Sequence, residues 1–345
     1  MTVTAHLYHP DFLPACQTGD LETVTKILNH ETPQVSTAQL QDGLSNAVWG
    51  EHLAVADLLL SKGARVNRMA FLRAIDRGDP AMFEVLIKNG WDVNTTEFEE
   101  GTALRLSVEN PPLMSFLLSH SADPNLLSIP GRLRRAPSAL ITAAVVKDGA
   151  DAIRTLLDHG AVLEPNIIHC AIEASCRWRN IDKEHGCAER VRLLIDAAKE
   201  TAKGREEGVK WYLNYLDLKK KGTPLHCAVW WQRLETVQVL VGEGADVGVL
   251  CRGMTVAQAA RRRAEMVGGH ESATRIWEWL TGRRWEDGEG IEEMDEEGST
   301  FKDEVEVELE TGETVYRSGN IGRPPRLDEE SLALTIKLTL SGHLA

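Results

Sequence analysis

The 345-residue sequence is poor in aromatic residues, which form 6% of the chain, although 43% of its residues are hydrophobic. Leu, Ala and Val supply most of that apolar content, and this suits closely packed helices better than a β-sandwich or a barrel. The longest strongly apolar stretch, residues 139–146, is far shorter than the roughly 20 residues that a membrane helix needs. Residues 1–10 lack the basic-then-apolar pattern of a signal peptide. We therefore expect an intracellular protein, cytoplasmic or nuclear, that does not bind membranes.

The six cysteines are too few and too irregularly spaced for a secreted disulfide scaffold. Three of them lie close to two histidines in a stretch of nineteen residues, which could indicate a zinc site. The five residues are His169, Cys170, Cys176, His185 and Cys187. Zinc sites favour paired ligands at short regular spacing, and this cluster contains no Cys-x-x-Cys pair. We therefore expect no bound metal.

Recognisable catalytic motifs are also missing. The sequence has no Gly-x-Ser-x-Gly element, no phosphate-binding loop and no Gly-rich dinucleotide motif. Nucleophilic catalysis requires a base and an orienting group beside the nucleophile, and no local pattern supplies them. The sequence therefore predicts a protein without enzymatic activity and without a cofactor.

Negative charge is concentrated in one segment. Residues 286–313 hold fourteen acidic residues and one basic residue, Lys302, which accounts for nearly all of the net charge of −14. The remaining chain is close to neutral and could bind partners of either sign. The acidity of the whole chain disfavours binding to nucleic acid.

One sequence phrase recurs along the chain: a helix that ends in an apolar triplet, then two polar residues, then Gly or Ser, then a short extended stretch. The clearest copies are residues 58–67 and 85–94, and others are residues 116–125, 155–163 and 239–247. Each phrase follows a helical apolar stripe and a shorter Ala-rich helix. One such helix pair cannot bury its apolar face alone, so consecutive copies must stack.

A glycine stands at the same place in most copies, namely Gly63, Gly90, Gly160 and Gly244, with Ser121 in the fourth. A helix that stops there favours a left-handed backbone, which glycine adopts at the lowest cost.

The best copy runs from Gly222-Thr223-Pro224-Leu225-His226-Cys227-Ala228-Val229 to Gly244-Ala245-Asp246-Val247, and it resembles the ankyrin repeat closely. Thr223 can cap the first helix, and Pro224 suits its first position. The resemblance implies that His226 braces neighbouring repeats by hydrogen bonds. Weaker copies in the same register predict an all-α ankyrin solenoid of about eight irregular helix-turn-helix units over residues 11–282.

The pattern is broken at three places. Pro111-Pro112 replaces the usual link between the helices of the fourth unit, and the sixth unit is interrupted around residues 175–189. An insertion at about 198–221 contains Trp211-Tyr212-Leu213-Asn214-Tyr215. Insertions in repeat proteins usually map to loops, often on the binding face. An irregular helix extension explains the insertion equally well.

Residues 283–345 are predicted to be an acidic, largely disordered tail. Alternation in residues 304–316 favours a small hairpin, although two isolated strands are marginal alone. We expect Trp277, Trp279 and Trp285 to cover the open end of the solenoid. The neighbouring Arg261-Arg262-Arg263 fits the exposed polar face of a capping repeat.

Two tryptophans stand at one repeat position, because Trp49 and Trp230 each precede the terminal glycine, Gly63 or Gly244, by fourteen residues. The resemblance implies that this position and the next face the concave groove. Exposed aromatic residues and arginines are typical of binding hot spots. The candidate partner-binding residues in these two positions are Trp49, Asp76, Arg77, Glu109, Asn110, Trp230 and Trp231. The alternative is that the tryptophans only pack on the next repeat.

The sequence thus favours a monomeric, non-catalytic module that binds a protein or peptide through the concave groove and loop tips. One alternative is a nuclear or chromatin-associated cofactor that uses residues 322–326. There Ile321 replaces the first arginine of an Arg-Gly-Arg-Pro minor-groove hook. The other alternative is a degraded or partial piece of a larger ankyrin protein.

Overall fold

The computed structural model describes residues 9–29, 35–127, 137–146, 148–177, 186–201, 206–217, 222–285, 306–308 and 314–316. Seventeen helices lie in this part of the chain, and sixteen of them form eight pairs. The first helices of the pairs are α1 (Phe12–Thr18), α3 (Thr37–Trp49), α5 (Arg68–Arg77), α7 (Ala103–Leu106), α9 (Ala139–Val145), α11 (Ile167–Arg177), α14 (Pro224–Trp230) and α16 (Val256–Met266). The second helices are α2 (Leu21–Asn29), α4 (Leu53–Ser61), α6 (Pro80–Lys88), α8 (Pro111–Ser119), α10 (Ala150–Asp158), α12 (Cys187–Thr201), α15 (Leu234–Gly242) and α17 (Glu271–Thr281). Helix α13 (Glu206–Leu213) lies between the sixth and seventh pairs.

The pairs stack in order, with first helices against first helices (α1 on α3, α3 on α5, α9 on α11, α14 on α16) and second helices against second helices (α2 on α4, α4 on α6, α12 on α15). At the short helix α7 the preceding loop fills the layer, because the buried ring of Phe98 stacks on that of Phe71 with 4.5 Å between centroids. The buried side chains form one continuous core along the stack. The predicted all-helical repeat solenoid is therefore confirmed.

Six of the first helices begin with a side-chain cap, in which a Ser, Thr or Asn oxygen accepts the backbone N–H three residues later. These residues are Ser36, Asn67, Thr102, Ser138, Thr223 and Thr255. Such a cap satisfies a backbone donor that the helix itself leaves unpaired. The first helices therefore start at equivalent positions in units of different length.

The terminal glycines have a left-handed backbone, with φ of 92° at Gly63 and 88° at Gly90. A Cβ added at either position would meet nothing within 4 Å, so the backbone angle rather than crowding favours glycine there. Ser121, which replaces this glycine in the fourth unit, adopts φ 65°. The fourth unit thus pays a conformational cost that its neighbours avoid.

Asparagines after these turns join successive loops. The Oδ1 atom of Asn94 accepts the backbone N–H of Asp123 at 2.8 Å, and Asn125 accepts that of Val162 at 2.8 Å. In the inserted region Asn214 accepts the N–H of Asp246 at the same distance. Asn214 therefore takes the place of the loop asparagine of the sixth unit.

The described part of the insertion is helical rather than an extended loop. Helix α13 lies there, and its last residue, Leu213, is completely buried. The Tyr212 hydroxyl donates to the Leu163 carbonyl at 3.3 Å. These contacts fix α13 to the sixth unit.

At the carboxyl end of the stack, Trp277 is buried and its ring meets that of Trp285 edge-to-face, with 5.6 Å between centroids. Trp279 instead remains 42% exposed. Strands β1 (Glu306–Glu308) and β2 (Thr314–Tyr316) pair antiparallel, with Val307 opposite Val315. Most of the predicted acidic tail and the whole of residues 322–326 lie outside the described residues.

Candidate partner-binding surface

Trp49 ends helix α3 and is 44% exposed. The guanidinium carbon of Arg77, on the next first helix, lies 4.8 Å from the indole centroid, and that of Arg73 lies 5.9 Å from it. Arg77 Nε also donates to the Trp49 carbonyl oxygen at 2.8 Å. Cation–π contacts of this geometry are worth about 0.5–1 kcal/mol at an exposed site. The indole is thus supported by one arginine and flanked by a second.

Both arginines are anchored to groups in or next to α3. Arg73 donates to the Asn46 side-chain oxygen at 2.9 Å, and the Arg77 Nε lies 3.5 Å from a Glu51 carboxylate oxygen. The arginines therefore hold their positions before any partner arrives. A fixed, partly exposed aromatic side chain loses little conformational entropy on binding, which favours affinity.

Trp230 repeats this arrangement in the seventh unit. It ends helix α14, is half-buried, and has the guanidinium carbon of Arg263 on α16 at 4.8 Å from its ring centroid. In both cases an arginine of the next unit covers a tryptophan at the end of a first helix. We call Trp49, Trp230 and their arginines Arg77 and Arg263 the Trp–Arg row.

Backbone strain accompanies both tryptophans. Glu51 and Gln232 each lie two residues beyond the tryptophan and adopt left-handed backbones, with φ of 60° and 59°. Gly19 and Gly78 hold the equivalent position in the first and third units, with φ of 77° and 66°. Non-glycine residues at positive φ are uncommon, and such strain clusters at functional sites.

The other predicted site residues divide into two groups. Asp76 and Glu109 are exposed, and Asp76 directly precedes Arg77 in the chain. Asn110 instead serves the fold, because its Oδ1 accepts the Leu113 N–H at 3.2 Å and its Nδ2 donates to the Gly78 carbonyl at 3.1 Å. Trp231 is half-buried and packs against the core. The structure therefore brings Arg77 against Trp49, whereas Asn110 forms hydrogen bonds within the fold and Trp231 packs on the core.

A small pocket of about 80 Å³ adjoins Trp230 between the seventh and eighth units. Its lining includes His226, Val229, Trp230, Arg252, Met254 and Ala259. His226 Nε2 donates to the Met254 carbonyl at 3.4 Å, and its Nδ1 lies 2.8 Å from the Thr223 hydroxyl. Burial lowers the pKa of His226, against the opposing effect of the Met254 carbonyl, so the ring is neutral near pH 7.

Sequence reasoning identified Arg77 as a candidate but did not assign Arg73 and Arg263 to this surface. Arg263 follows the cap residue Thr255 by eight residues, as Trp231 follows Thr223 by eight. Alignment on the caps rather than on the terminal glycines would have placed Arg263 beside the row. Arg73 gave no such signal, because its role depends on helical spacing to Arg77 and on the position of the neighbouring unit.

The His and Cys residues considered as zinc ligands in the sequence have structural contacts where the structure describes them. His169 Nε2 donates to the Gly222 carbonyl at 2.7 Å, and Cys187 is buried against α11. His185 and the side chain of Cys176 lie outside the described residues. Within the described part of the chain, no three His, Cys, Asp or Glu side chains converge as a metal site would require.

Eight stacked helix pairs joined by loops of one pattern define a helical repeat protein. Residues 221–252 match the family model of the ankyrin repeat. The chain therefore contains an ankyrin repeat at residues 221–252, and its other helix pairs stack in the same order. Ankyrin repeats are generally protein–protein interaction modules.

Two solved structures share low sequence identity with the chain. The human ASB11 ankyrin repeat domain is 18% identical, with 68% of this chain and 98% of that chain covered and a TM-score of 0.42. A chain from the complex of the Bdellovibrio bacteriovorus predatory endopeptidase Bd0816 with the immunity protein Bd3460 is also 18% identical. Its match covers 54% of this chain and 97% of that chain, with a TM-score of 0.40. Among the described helices, none is both long enough and apolar enough to cross a lipid bilayer.

Proposed function

We propose that the protein is a non-catalytic interaction module that binds a protein or peptide across its first helices, with the Trp–Arg row as the anchor. The observation that carries this proposal is the recurrence of an exposed or half-exposed tryptophan supported by an arginine of the next unit. Tryptophan and arginine dominate the binding energy of many interfaces. The family's general role in protein–protein interaction supports the same conclusion.

A purely structural role explains the row less well. A packing tryptophan would be covered, whereas Trp49 keeps 44% of its surface exposed although Arg77 and Arg73 flank it. The strained residues Glu51 and Gln232 also lie directly beyond the two tryptophans, where glycine would relieve the strain. Retention of strain at these two positions supports a role beyond folding.

The test is affinity capture followed by mass spectrometry, with the wild-type chain compared with Trp49→Ala plus Trp230→Ala. We expect the double variant to lose the captured partner. Its helical content and melting temperature should stay close to those of the wild type. The matched control is Trp279→Ala, which removes another partly exposed tryptophan outside the row, and it should capture the partner as the wild type does.

Two outcomes would contradict the proposal. If the double variant unfolds, the tryptophans belong to the core and the binding surface lies elsewhere. If the folded double variant retains the partner, the row does not contribute to binding.

A further inference from the structure

Three arginines surround the pocket beside Trp230. Arg252 lines the pocket, Arg262 Nη1 lies 3.7 Å from the Met254 sulfur, and Arg263 stacks on Trp230. Within the described part of the chain, none of the three has a carboxylate at ion-pair distance. The adjacent Arg261, by contrast, lies 3.1 Å from Glu265. The pocket therefore carries a local positive charge that the described residues do not neutralise.

Arg263 is the central member of this group. Its guanidinium covers the Trp230 ring, and its Nε is buried from solvent without a hydrogen-bond acceptor among the described residues. A buried charged donor without an acceptor is costly, and a ligand oxygen would remove that cost. Arg252 reaches the pocket from a strained turn, with φ 53°.

We call the apolar lining of the pocket, formed by Val229, Met254 and Ala259, its floor, and the guanidinium groups around it its rim. The neutral His226 is engaged by Thr223 and the Met254 carbonyl. An apolar side chain fits such a floor. Guanidinium groups at the rim favour carboxylates, which they bind in bidentate geometry.

The Trp49 end of the row differs from the Trp230 end in how its arginines are paired. Arg77 already lies near Glu51, and Arg73 already donates to Asn46. The surface at Trp49 therefore offers mainly an aromatic contact, whereas the surface at Trp230 offers unpaired charge. A partner with an acidic end would bind in one direction along the row.

We infer that the pocket between the seventh and eighth units binds an acidic peptide segment of the partner, with one aliphatic side chain on the apolar floor and carboxylates on Arg252, Arg262 and Arg263. This inference rests on the proposed function, since Trp230 belongs to the Trp–Arg row. It adds the chemistry and the direction of the bound segment.

The probe is a fluorescent twelve-residue peptide of Glu and Asp with one central Leu, titrated into the full chain and followed by fluorescence anisotropy. A matched peptide carries Gln and Asn instead. We expect the acidic peptide to bind at least about tenfold more tightly than the neutral one, because rim charges set specificity. Its affinity should fall as salt is raised.

Two variants on helix α16 locate the site. Arg262→Gln plus Arg263→Gln should weaken binding of the acidic peptide by about tenfold or more. Arg261→Gln removes charge from the same helix but from an arginine that is already paired, and it should change affinity less than about twofold. Circular dichroism and melting temperature establish that the variants remain folded.

Three outcomes would overturn the inference: equal binding of both peptides, equal loss in the Arg261→Gln control, or binding that appears only when the acidic residues of 286–313 are changed to amides. The last would show that the chain's own acidic segment is the occupant. The proposed function is tested separately, because partner capture that is lost on Trp49→Ala plus Trp230→Ala but retained on Arg262→Gln, which leaves the Trp–Arg row intact, would support it while this inference failed.

Discussion

His169 Nε2 donates to the backbone carbonyl of Gly222 at 2.7 Å, although 53 residues separate the two in sequence. The equivalent bond in the next unit, from His226 to Met254, spans 28 residues. The same brace therefore joins the two units that flank the insertion and again joins the next two units. Helix α13 is accommodated at the edge of the stack, and the repeat register continues past it.

Asn214 restores the repeat register after the insertion, and substitution of Asn214 should measure how much its hydrogen bond contributes to stability. We expect Asn214→Ala to lower the free energy of unfolding by about 1 kcal/mol, because the bond to the Asp246 N–H is lost. Asn94→Ala should cost more, since Asn94 also donates to the Ser121 carbonyl. Urea denaturation of both variants tests the order. An Asn214→Ala variant as stable as the wild type would show that the insertion, not this bond, sets the loop position.

A reciprocal exchange at the terminal-glycine position tests the conformational cost of a side chain on a left-handed backbone. Ser121→Gly should stabilise the protein by about 0.5–1 kcal/mol, because Ser121 adopts φ 65°. Gly90→Ser should destabilise it by a similar amount, since Gly90 adopts φ 88° and a Cβ there has open space around it. Denaturation midpoints measure both changes. Changes of the same sign in the two variants would contradict this account.

His226 should make stability depend on pH. Its pKa is lowered from 6.5 by burial, partly offset by the Met254 carbonyl, so the unfolded chain binds a proton more readily than the folded one. The contribution of neutral His226 is therefore complete above about pH 6.5 and is lost as pH falls below it.

The comparison variant is His226→Gln, measured by urea denaturation from about pH 8 to pH 5. Near pH 8 it should be less stable than the wild type by about 1 kcal/mol, because the imidazole bonds are lost. That difference should shrink as pH falls, since protonation of His226 on unfolding then destabilises only the wild type. A difference that stays constant over the whole range would show that His226 does not titrate with unfolding.

Arg77 should act as a positioning residue for Trp49. Lysine keeps the charge but provides neither the planar stack nor the Nε–H bond to the Trp49 carbonyl. We therefore expect Arg77→Lys to reduce the yield of captured partner, with a loss in binding of about 1 kcal/mol. The free energy of unfolding should change by less than about 1 kcal/mol because Arg77 is exposed.

Arg275→Lys is the control for that experiment, since Arg275 lies on α17 with 59% of its side chain exposed and is not a member of the row. It should capture the partner normally. Equal capture by the Arg77→Lys variant and the wild type would remove Arg77 from the binding surface.

The repeat architecture could be read from the sequence because it depends on local signals. Glycine at a left-handed helix end, as at Gly63, and a side-chain cap, as at Thr223, act within a few residues of themselves. The confirmed helix pairs follow from these signals and from apolar stripes that must be buried by neighbours. Trp49 and Trp230 were likewise found from their common repeat position.

The tertiary structure decided what surrounds those tryptophans. The arginines that cover them come from the next repeat, 28 residues away at Arg77 and 33 residues away at Arg263. Stacking brings such residues together, and the spacing varies because the units differ in length. For the same reason Asn110, which the sequence placed on the binding face, is held by Gly78 of the preceding unit. The sequence by itself determined the kind of repeat and the repeat position that Trp49 and Trp230 share. Only the packing of one repeat on the next determined which of those side chains are committed to the fold and which remain available to a partner.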